Sequence, residues 1–209
     1  MEVYGIVLAS GLSKRMGEQK LEMDWKGLPL IEHTLEKLSG IPFKEVKVVI
    51  PEQSNRLKAV VKKYEYTPIL NNHQHLGMGY SLSLAFKTLP SSSEAAIILL
   101  GDQPTLGKKD IMKVFSTFKQ NRSEAVYCPK IIIQMKYRDG KIGHPILFSH
   151  HFFDELRSLR SDIGGRNIIR HHTEFLYFCE SDNEYPNDID TICDYHQLLT
   201  LFSRNPPLL

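Results

Sequence analysis

Short apolar runs rich in β-branched residues alternate along the chain with longer segments in which apolar residues recur every three or four positions. The runs predict strands at 3–8, 45–50, 66–70, 95–100 and 125–133, with a later strand near 174–179. The longer segments predict helices, and one of them carries Leu30, Ile31, Thr34, Leu35 and Leu38 on one face. Because strands that alternate with helices pair in parallel, we expect a three-layer α/β/α protein with a mostly parallel central sheet.

The length and composition favour a single domain. The chain has 209 residues, of which 42% are hydrophobic, so it can bury a substantial core. We expect the domain to span 1–200 and a C-terminal tail to follow at 201–209. Two polar segments, 134–147 and 180–190, interrupt the alternation, and we expect both to be loops over a site.

The charges produce no global field that would attract a polyanion. The chain has 26 basic and 24 acidic residues, so nucleic acid and membrane surfaces are not expected partners. The cysteines, Cys128, Cys179 and Cys193, form no closely spaced pair, which argues against a disulfide framework and a structural zinc site. With no signal-like segment and no apolar stretch of about 18 residues, we expect a soluble, cytoplasmic protein.

The loop after the first predicted strand combines glycines with cations. Residues 8–20 read L-A-S-G-L-S-K-R-M-G-E-Q-K. Gly11 and Gly17 would let backbone N–H groups approach an anion closely, and Arg15 and Lys20 would add full positive charges. The loop matches neither the Walker A motif nor GxGxxG. It predicts a phosphate-binding loop, and the alternative is a strand-to-helix turn that needs glycine for its geometry alone.

Carboxylates follow the apolar strand at 95–100 and precede the last predicted helix. Asp102 lies in G-D-Q-P, where it can share a sheet edge with the first loop and hold Mg²⁺ against phosphates. Its alternative role is to begin a turn or to cap the helix near Lys108. The segment 188–191, D-I-D-T, supplies a second pair of carboxylates, and Asp190 or Thr191 could instead be simply the N-cap of the helix that follows.

Six segments in order resemble the MobA-like nucleotidyltransferases, and within them the molybdenum cofactor cytidylyltransferases and the accessory proteins of molybdenum hydroxylases. They are the loop at 8–20, G-M-G-Y-S-L at 77–82, L-G-D-Q-P at 100–104, G-H-P-I-L-F at 143–148, S-D-I-G-G-R at 161–166 and D-I-D-T at 188–191. The resemblance implies a Rossmann-like nucleotidyltransferase fold. It also implies transfer of CMP from CTP to a molybdopterin-type cofactor with release of pyrophosphate.

The resemblance also assigns roles to residues on the nucleotide side. Arg15, Lys20 and Asp102 would be catalytic, and Mg²⁺ would bind Asp102 and Asp190, with Asp188 as the other candidate. The residues implied to bind the nucleoside triphosphate are Leu8, Ala9, Ser10, Gly11, Arg15, Lys20, Gly77, Met78, Gly79, Ser81 and Asp102.

On the acceptor side, the resemblance implies that His144, Asp162 and Arg166 face the molybdopterin-type cofactor. Transient contact with a molybdenum hydroxylase such as xanthine dehydrogenase would follow. Base choice depends on the first loop, where the cytidylyltransferases commonly have Ala and the guanylyltransferases Gly, whereas this chain has Ser10. The G-H-P turn and the pair Gly77-Met78 favour CTP.

Two alternatives to this function remain open from the sequence. The first keeps the nucleotidyl transfer and changes the acceptor to a sugar or alditol phosphate. The second is a protein without catalytic activity that binds molybdenum cofactor and delivers it to a hydroxylase. The presence of Arg15, Lys20, Asp102 and Asp190 together favours catalysis, because a carrier would not need the full set.

Overall fold

The computed structural model describes residues 1–13, 16, 19–160 and 164–203. Its strands are β1 Val3–Leu8, β2 Asp24–Trp25, β3 Leu28–Pro29, β4 Glu45–Pro51, β5 Thr67–Asn71, β6 Ala95–Leu100, β7 Ile132–Lys136, β8 Ile142–Ser149 and β9 Leu176–Glu180. Its α-helices are α1 Leu30–Leu38, α2 Asn55–Lys63, α3 Gly77–Lys87, α4 Lys108–Glu124, α5 Phe153–Ser158, α6 Arg166–His171 and α7 Ile192–Ser203.

Seven of these strands form one sheet in the order β5-β4-β1-β6-β8-β7-β9. Neighbouring strands are parallel except where β8 pairs with β6 and with β7, so β8 is the one antiparallel strand of this sheet among the described residues. Strands β1 and β6 are buried along their whole length, because each has a strand on both sides and a helical layer on both faces. The predicted mostly parallel α/β fold is confirmed.

Helices cover both faces of the sheet. One face packs on α1, α2 and α4, through residues such as Leu35, Val61 and Val114. The other face packs on α3, α5 and α6, as Phe86 and Ile168 illustrate. Each helix buries an apolar stripe that the sequence repeats at helical spacing, and this produces the three layers.

Two boundaries predicted from the sequence are wrong. The predicted strand at 125–133 begins only at Ile132, and Val126 and Tyr127 before it are highly exposed. The segment 134–147, predicted to be a loop, instead forms the end of β7, a short turn and most of β8. Pro129 precedes the true strand, and the charged residues that suggested a loop are concentrated in the turn between the strands.

The other predicted loop, 180–190, contains no helix or strand after Glu180, and buried Asp110 in the first turn of α4 anchors it. The Ser181 hydroxyl donates to Asp110 Oδ1 at 2.6 Å, and the Asn183 side-chain amide donates to Asp110 Oδ2 at 2.9 Å. These bonds fix the path of the chain just before Asp188. No helix in the described part of the chain combines the length and apolar character that a membrane span requires.

We expect Asp110→Ala to lower the free energy of unfolding by about 1–3 kcal/mol, because it leaves the buried Ser181 hydroxyl and the Asn183 amide without their acceptor. Urea denaturation measures this change. Asp182→Ala, at an exposed position in the anchored segment, is the matched control and should have little effect. Equal stabilities of the two variants would contradict the anchoring role.

Candidate functional site

A cavity of about 550 Å³ opens at the carboxyl ends of β1 and β6. Open α/β sheets bind ligands at this edge. The lining residues are Leu8, Ala9, Ser10, Gly11, Leu12, Ser13, Lys20, Leu21, Gln74, His75, Gly77, Met78, Ser81, Leu100, Asp102, Asp188 and Asp190. The cavity therefore brings the first loop, the start of α3 and both carboxylate segments together.

The close approach of the ends of β1 and β6 places Asp102 beside the first loop. The Gly101 N–H donates to the Leu8 carbonyl at 2.9 Å, and the Ala9 N–H donates to the Val49 carbonyl at 2.9 Å. A Cβ atom at Gly101 would lie 3.1 Å from the Ala9 Cβ, closer than ordinary contact. Glycine at this position therefore lets the two strand ends pack tightly.

Lys20 joins the two carboxylate segments. Its Nζ lies 2.5 Å from Asp102 Oδ2 and 2.9 Å from Asp190 Oδ1. Ser13 holds the backbone next to it: its hydroxyl accepts from the Lys20 N–H at 3.2 Å and donates to Gln19 Oε1 at 3.0 Å. Burial disfavours the ammonium, but attraction to both carboxylates outweighs burial and raises the pKa of Lys20.

The two carboxylates of the segment 188–191, Asp188 and Asp190, have different hydrogen-bond partners. Thr191 caps α7: its hydroxyl accepts from the Asp194 N–H at 3.2 Å, and the Asp194 carboxylate accepts from the Thr191 N–H at 2.7 Å and from the Asp190 N–H at 3.1 Å. The side chain of Asp190 is thus available to contact Lys20. The N-cap alternative applies to Thr191 and not to Asp190.

Asp188 also reaches the cavity, but its side chain bonds to Gln103. The buried Gln103 amide donates to Asp188 Oδ1 at 2.7 Å, and the Ile189 N–H donates to the Asp102 carbonyl at 3.1 Å. Burial and the nearby Asp102 charge raise the pKa of Asp188 to about 6. Gln103 Oε1 has no hydrogen-bond partner within the described chain. Together these bonds tie Asp102 to the segment that carries Asp190.

A buried cluster of polar side chains lies at the opposite wall. Asn71, at the end of β5, donates through Nδ2 to Ser10 Oγ at 3.1 Å and to Ser81 Oγ at 3.2 Å. The two hydroxyls share a hydrogen bond of 2.9 Å, and Ser81 also donates to the Gly77 carbonyl at 3.3 Å. Asn71 Oδ1 accepts from the His73 N–H at 2.8 Å. This cluster connects the first loop to the start of α3.

Of the proposed acceptor residues, His144 and Arg166 are described and do not line the cavity. Burial, followed by the nearby Arg166 charge, lowers the pKa of His144 to about 4, so its imidazole is neutral at neutral pH. A Cβ atom at Gly164 would lie 3.3 Å from the Met78 sulfur, which places the 164–166 segment against a residue of the cavity wall. Arg15 and Asp162 lie outside the described residues.

Most of the site residues predicted from the sequence converge in the cavity. They are Leu8, Ala9, Ser10, Gly11, Lys20, Gly77, Met78, Ser81, Asp102 and Asp190. Gly79 is buried in α3 and does not line it. The sequence analysis missed Asn71 and Gln103, although each is a polar residue at the carboxyl end of a strand, the same signal that singled out Asp102.

Residues 5–175 of the chain match the MobA-like NTP transferase domain family. The matched range contains the first loop and Asp102 and ends before Asp188 and Asp190. This confirms the family resemblance inferred from the six segments.

Three relatives illustrate the range of similar proteins. The probable molybdenum cofactor guanylyltransferase of Aquifex aeolicus is 33% identical over 65% of this chain and 68% of its own length. The purine catabolism protein PucB of Bacillus subtilis is 24% identical over 80% of each chain. The bifunctional protein GlmU of Shouchella clausii is 25% identical over 58% of this chain and 27% of its own length, so the chain spans about a quarter of that relative.

Solved structures share the fold along almost the whole chain. The homologue of the Mycobacterium tuberculosis protein Rv0371c from Mycobacterium sp. strain JC1 has 26% identity and a TM-score of 0.79, covering 97% of both chains. A complex of Rv0371c from M. tuberculosis H37Rv with manganese has 22% identity and a TM-score of 0.78, covering 96% of this chain and 99% of that one.

We expect Asn71→Ala to lower the free energy of unfolding by about 1–3 kcal/mol, because the Ser10 and Ser81 hydroxyls and the His73 N–H lose a buried partner. Thermal or urea denaturation measures the change. Asn72→Ala, at the exposed neighbouring position, is the control and should leave stability nearly unchanged. An equal loss in both variants would rule out a special role for the buried amide.

Proposed function

The chain belongs to the MobA-like NTP transferase domain family and is a nucleotidyltransferase of that family, and we propose that it transfers CMP from CTP to a molybdopterin-type cofactor. The observation that carries the proposal is the convergence of Asp102, Asp190 and Lys20 at one end of the cavity. Two partly exposed carboxylates beside a phosphate-type loop suit metal-assisted transfer of a nucleotidyl group, because they can bind a divalent ion together with phosphate oxygens.

The site has the right ligands for a divalent ion. Asp102 and Asp190 offer oxygen atoms that already contact one cation, and Asp188 adds a third carboxylate to the lining. These three carboxylates are not grouped closely enough to hold a metal by themselves, and no other such group of three occurs among residues 1–13, 16, 19–160 and 164–203. The remaining ligands would be phosphate oxygens and water, which is how Mg²⁺ is usually held beside nucleotides. A similar fold has been solved with manganese.

In the proposed reaction, a phosphate oxygen of the acceptor attacks the α-phosphorus of CTP as the bond to the pyrophosphate oxygen breaks. Bound Mg²⁺ would offset the repulsion between the two anions. Lys20 and the N–H groups of Ser10 and Gly11 would stabilise charge on the departing pyrophosphate, with Arg15 as a further proposed contact. An acceptor phosphate is already anionic at neutral pH, so the reaction needs no strong general base.

The acceptor assignment rests on chemistry at the edge of the cavity and on the relatives. Arg166 supplies a cation for an acceptor phosphate, whereas neutral His144 would position the acceptor without adding charge. Asp162 is the third proposed contact. PucB is named for purine catabolism and the Aquifex relative for molybdenum cofactor. These names favour a molybdopterin-type acceptor and a role in the maturation of a molybdenum hydroxylase.

We expect pyrophosphate release with CTP, Mg²⁺ and molybdopterin-type cofactor, measured by a coupled phosphate assay. Asp102→Asn should reduce the rate by a factor on the order of 10²–10³ or more, because it removes a charge that would hold the metal. Asp154→Asn, at a fully accessible carboxylate on α5, is the matched control and should retain the rate. Undiminished turnover in Asp102→Asn would contradict the metal assignment.

The same assay tests the acceptor and the second metal ligand. Release with a sugar phosphate but not with molybdopterin would move the protein to another acceptor class, and no release with any acceptor would favour the carrier alternative. Asp190→Asn should cost more activity than Asp188→Asn, because Asp190 shares a cation with Asp102 whereas Asp188 bonds to Gln103.

For the base, we expect CTP with Mg²⁺ to raise the melting temperature more than GTP, ATP or UTP. A ligand that binds only the folded state stabilises it in proportion to the logarithm of its concentration over its Kd, so equal concentrations rank the affinities. Differential scanning fluorimetry measures the shifts. A larger shift with GTP would assign the chain to the guanylyl branch.

A further inference from the structure

The single ammonium group of Lys20 is assigned to two different sets of partners. In the structure it bonds to Asp102 and Asp190, with only 10% of its side chain exposed. The proposed function also assigns this lysine to the triphosphate. An ammonium has three hydrogens, and the two carboxylates already accept from it, so only one hydrogen remains for the phosphates while both ion pairs are kept.

The same two carboxylates are the proposed ligands of the divalent ion. An ion that binds oxygens of Asp102 and Asp190 would be brought next to the Lys20 ammonium, where the two positive charges repel each other in a partly buried setting. Lys20 and the metal therefore compete for the same negative charges. The neighbouring loop at 9–13 lines the same cavity, and phosphates bound there would be an alternative partner for the ammonium.

We propose that Lys20 is the resident counter-ion of Asp102 and Asp190 and makes divalent-metal binding depend on the nucleotide. Without nucleotide, the lysine occupies the carboxylates and opposes metal entry. When a triphosphate binds, its oxygens attract the ammonium and supply further ligands to the metal, so metal and nucleotide enter together. This inference rests on the proposed function, because it assumes that the cavity binds a nucleoside triphosphate.

The proposal predicts that Lys20→Gln changes the affinities for CTP and for Mn²⁺ in opposite directions. The variant should bind CTP more weakly but bind Mn²⁺ alone more tightly than the wild type, by a factor on the order of ten. Electron paramagnetic resonance of free Mn²⁺ measures the metal affinity directly, without turnover. CTP should also strengthen Mn²⁺ binding less in the variant, because one source of the coupling has been removed.

Controls separate the specific effect from a general change of charge. Lys62→Gln removes one positive charge from an exposed position on α2 and should leave Mn²⁺ affinity unchanged. Adding Asp102→Asn to Lys20→Gln should abolish the increase in Mn²⁺ affinity. That result would locate the more tightly bound Mn²⁺ at these carboxylates. Mn²⁺ affinity in Lys20→Gln equal to or weaker than that of the wild type overturns the proposal.

A second test uses the wild-type protein, so it does not require that a variant folds. Reductive methylation followed by mass spectrometry reports the accessibility of each lysine amine. Saturating Mn²⁺ without nucleotide should increase labelling of Lys20 relative to Lys62, because the metal displaces the ammonium; unchanged labelling overturns the proposal. If the wild type releases pyrophosphate but Lys20→Gln does not bind Mn²⁺ more tightly, only this inference is refuted. If Lys20→Gln binds Mn²⁺ more tightly but the wild type releases no pyrophosphate, only the proposed reaction is refuted.

Discussion

The ion pairs of Lys20 with Asp102 and Asp190 are the interaction on which the geometry of the site depends. They join the first loop, the end of β6 and the segment before α7, which the chain supplies from widely separated positions. The Lys20 ammonium is only 10% exposed, so an isolated charge there would be costly and the two carboxylates offset that cost. The site is therefore held together by the same charges that would carry its chemistry.

The sheet edge could be predicted from the sequence because its strands are buried on both faces. Strands β1 and β6 appear as uninterrupted apolar runs, and polar residues appear where each run ends. Strand β8 could not be recognised in this way. It belongs to a hairpin, and its first residues, Ile142 to His144, are partly polar and follow a charged turn, so the local pattern resembles a loop.

The different roles of Asp188 and Asp190 could be assigned only from the tertiary structure. Locally, either Asp190 or Thr191 could cap α7, and either carboxylate could face a ligand. Because Thr191 and Asp194 satisfy the helix start, Asp190 is available to Lys20, and because Gln103 is buried beneath the loop, Asp188 bonds to it. These choices depend on which side chains meet across the fold, and no spacing along the chain encodes them.

Ser10 lies where the family resemblance implies Ala or Gly, and its hydroxyl has hydrogen-bond partners within the protein. Buried Asn71 has two amide hydrogens to satisfy, and its Nδ2 donates to both Ser10 and Ser81. Without a hydroxyl at position 10, the amide would lose one of these acceptors, which costs free energy in a buried setting. Since Ser81 donates to the Gly77 carbonyl, the Ser10 proton is the one available for the bond between the hydroxyls. Ser10 thus pairs with Asn71 within the protein, which accounts for its hydroxyl without any contact to a nucleotide base.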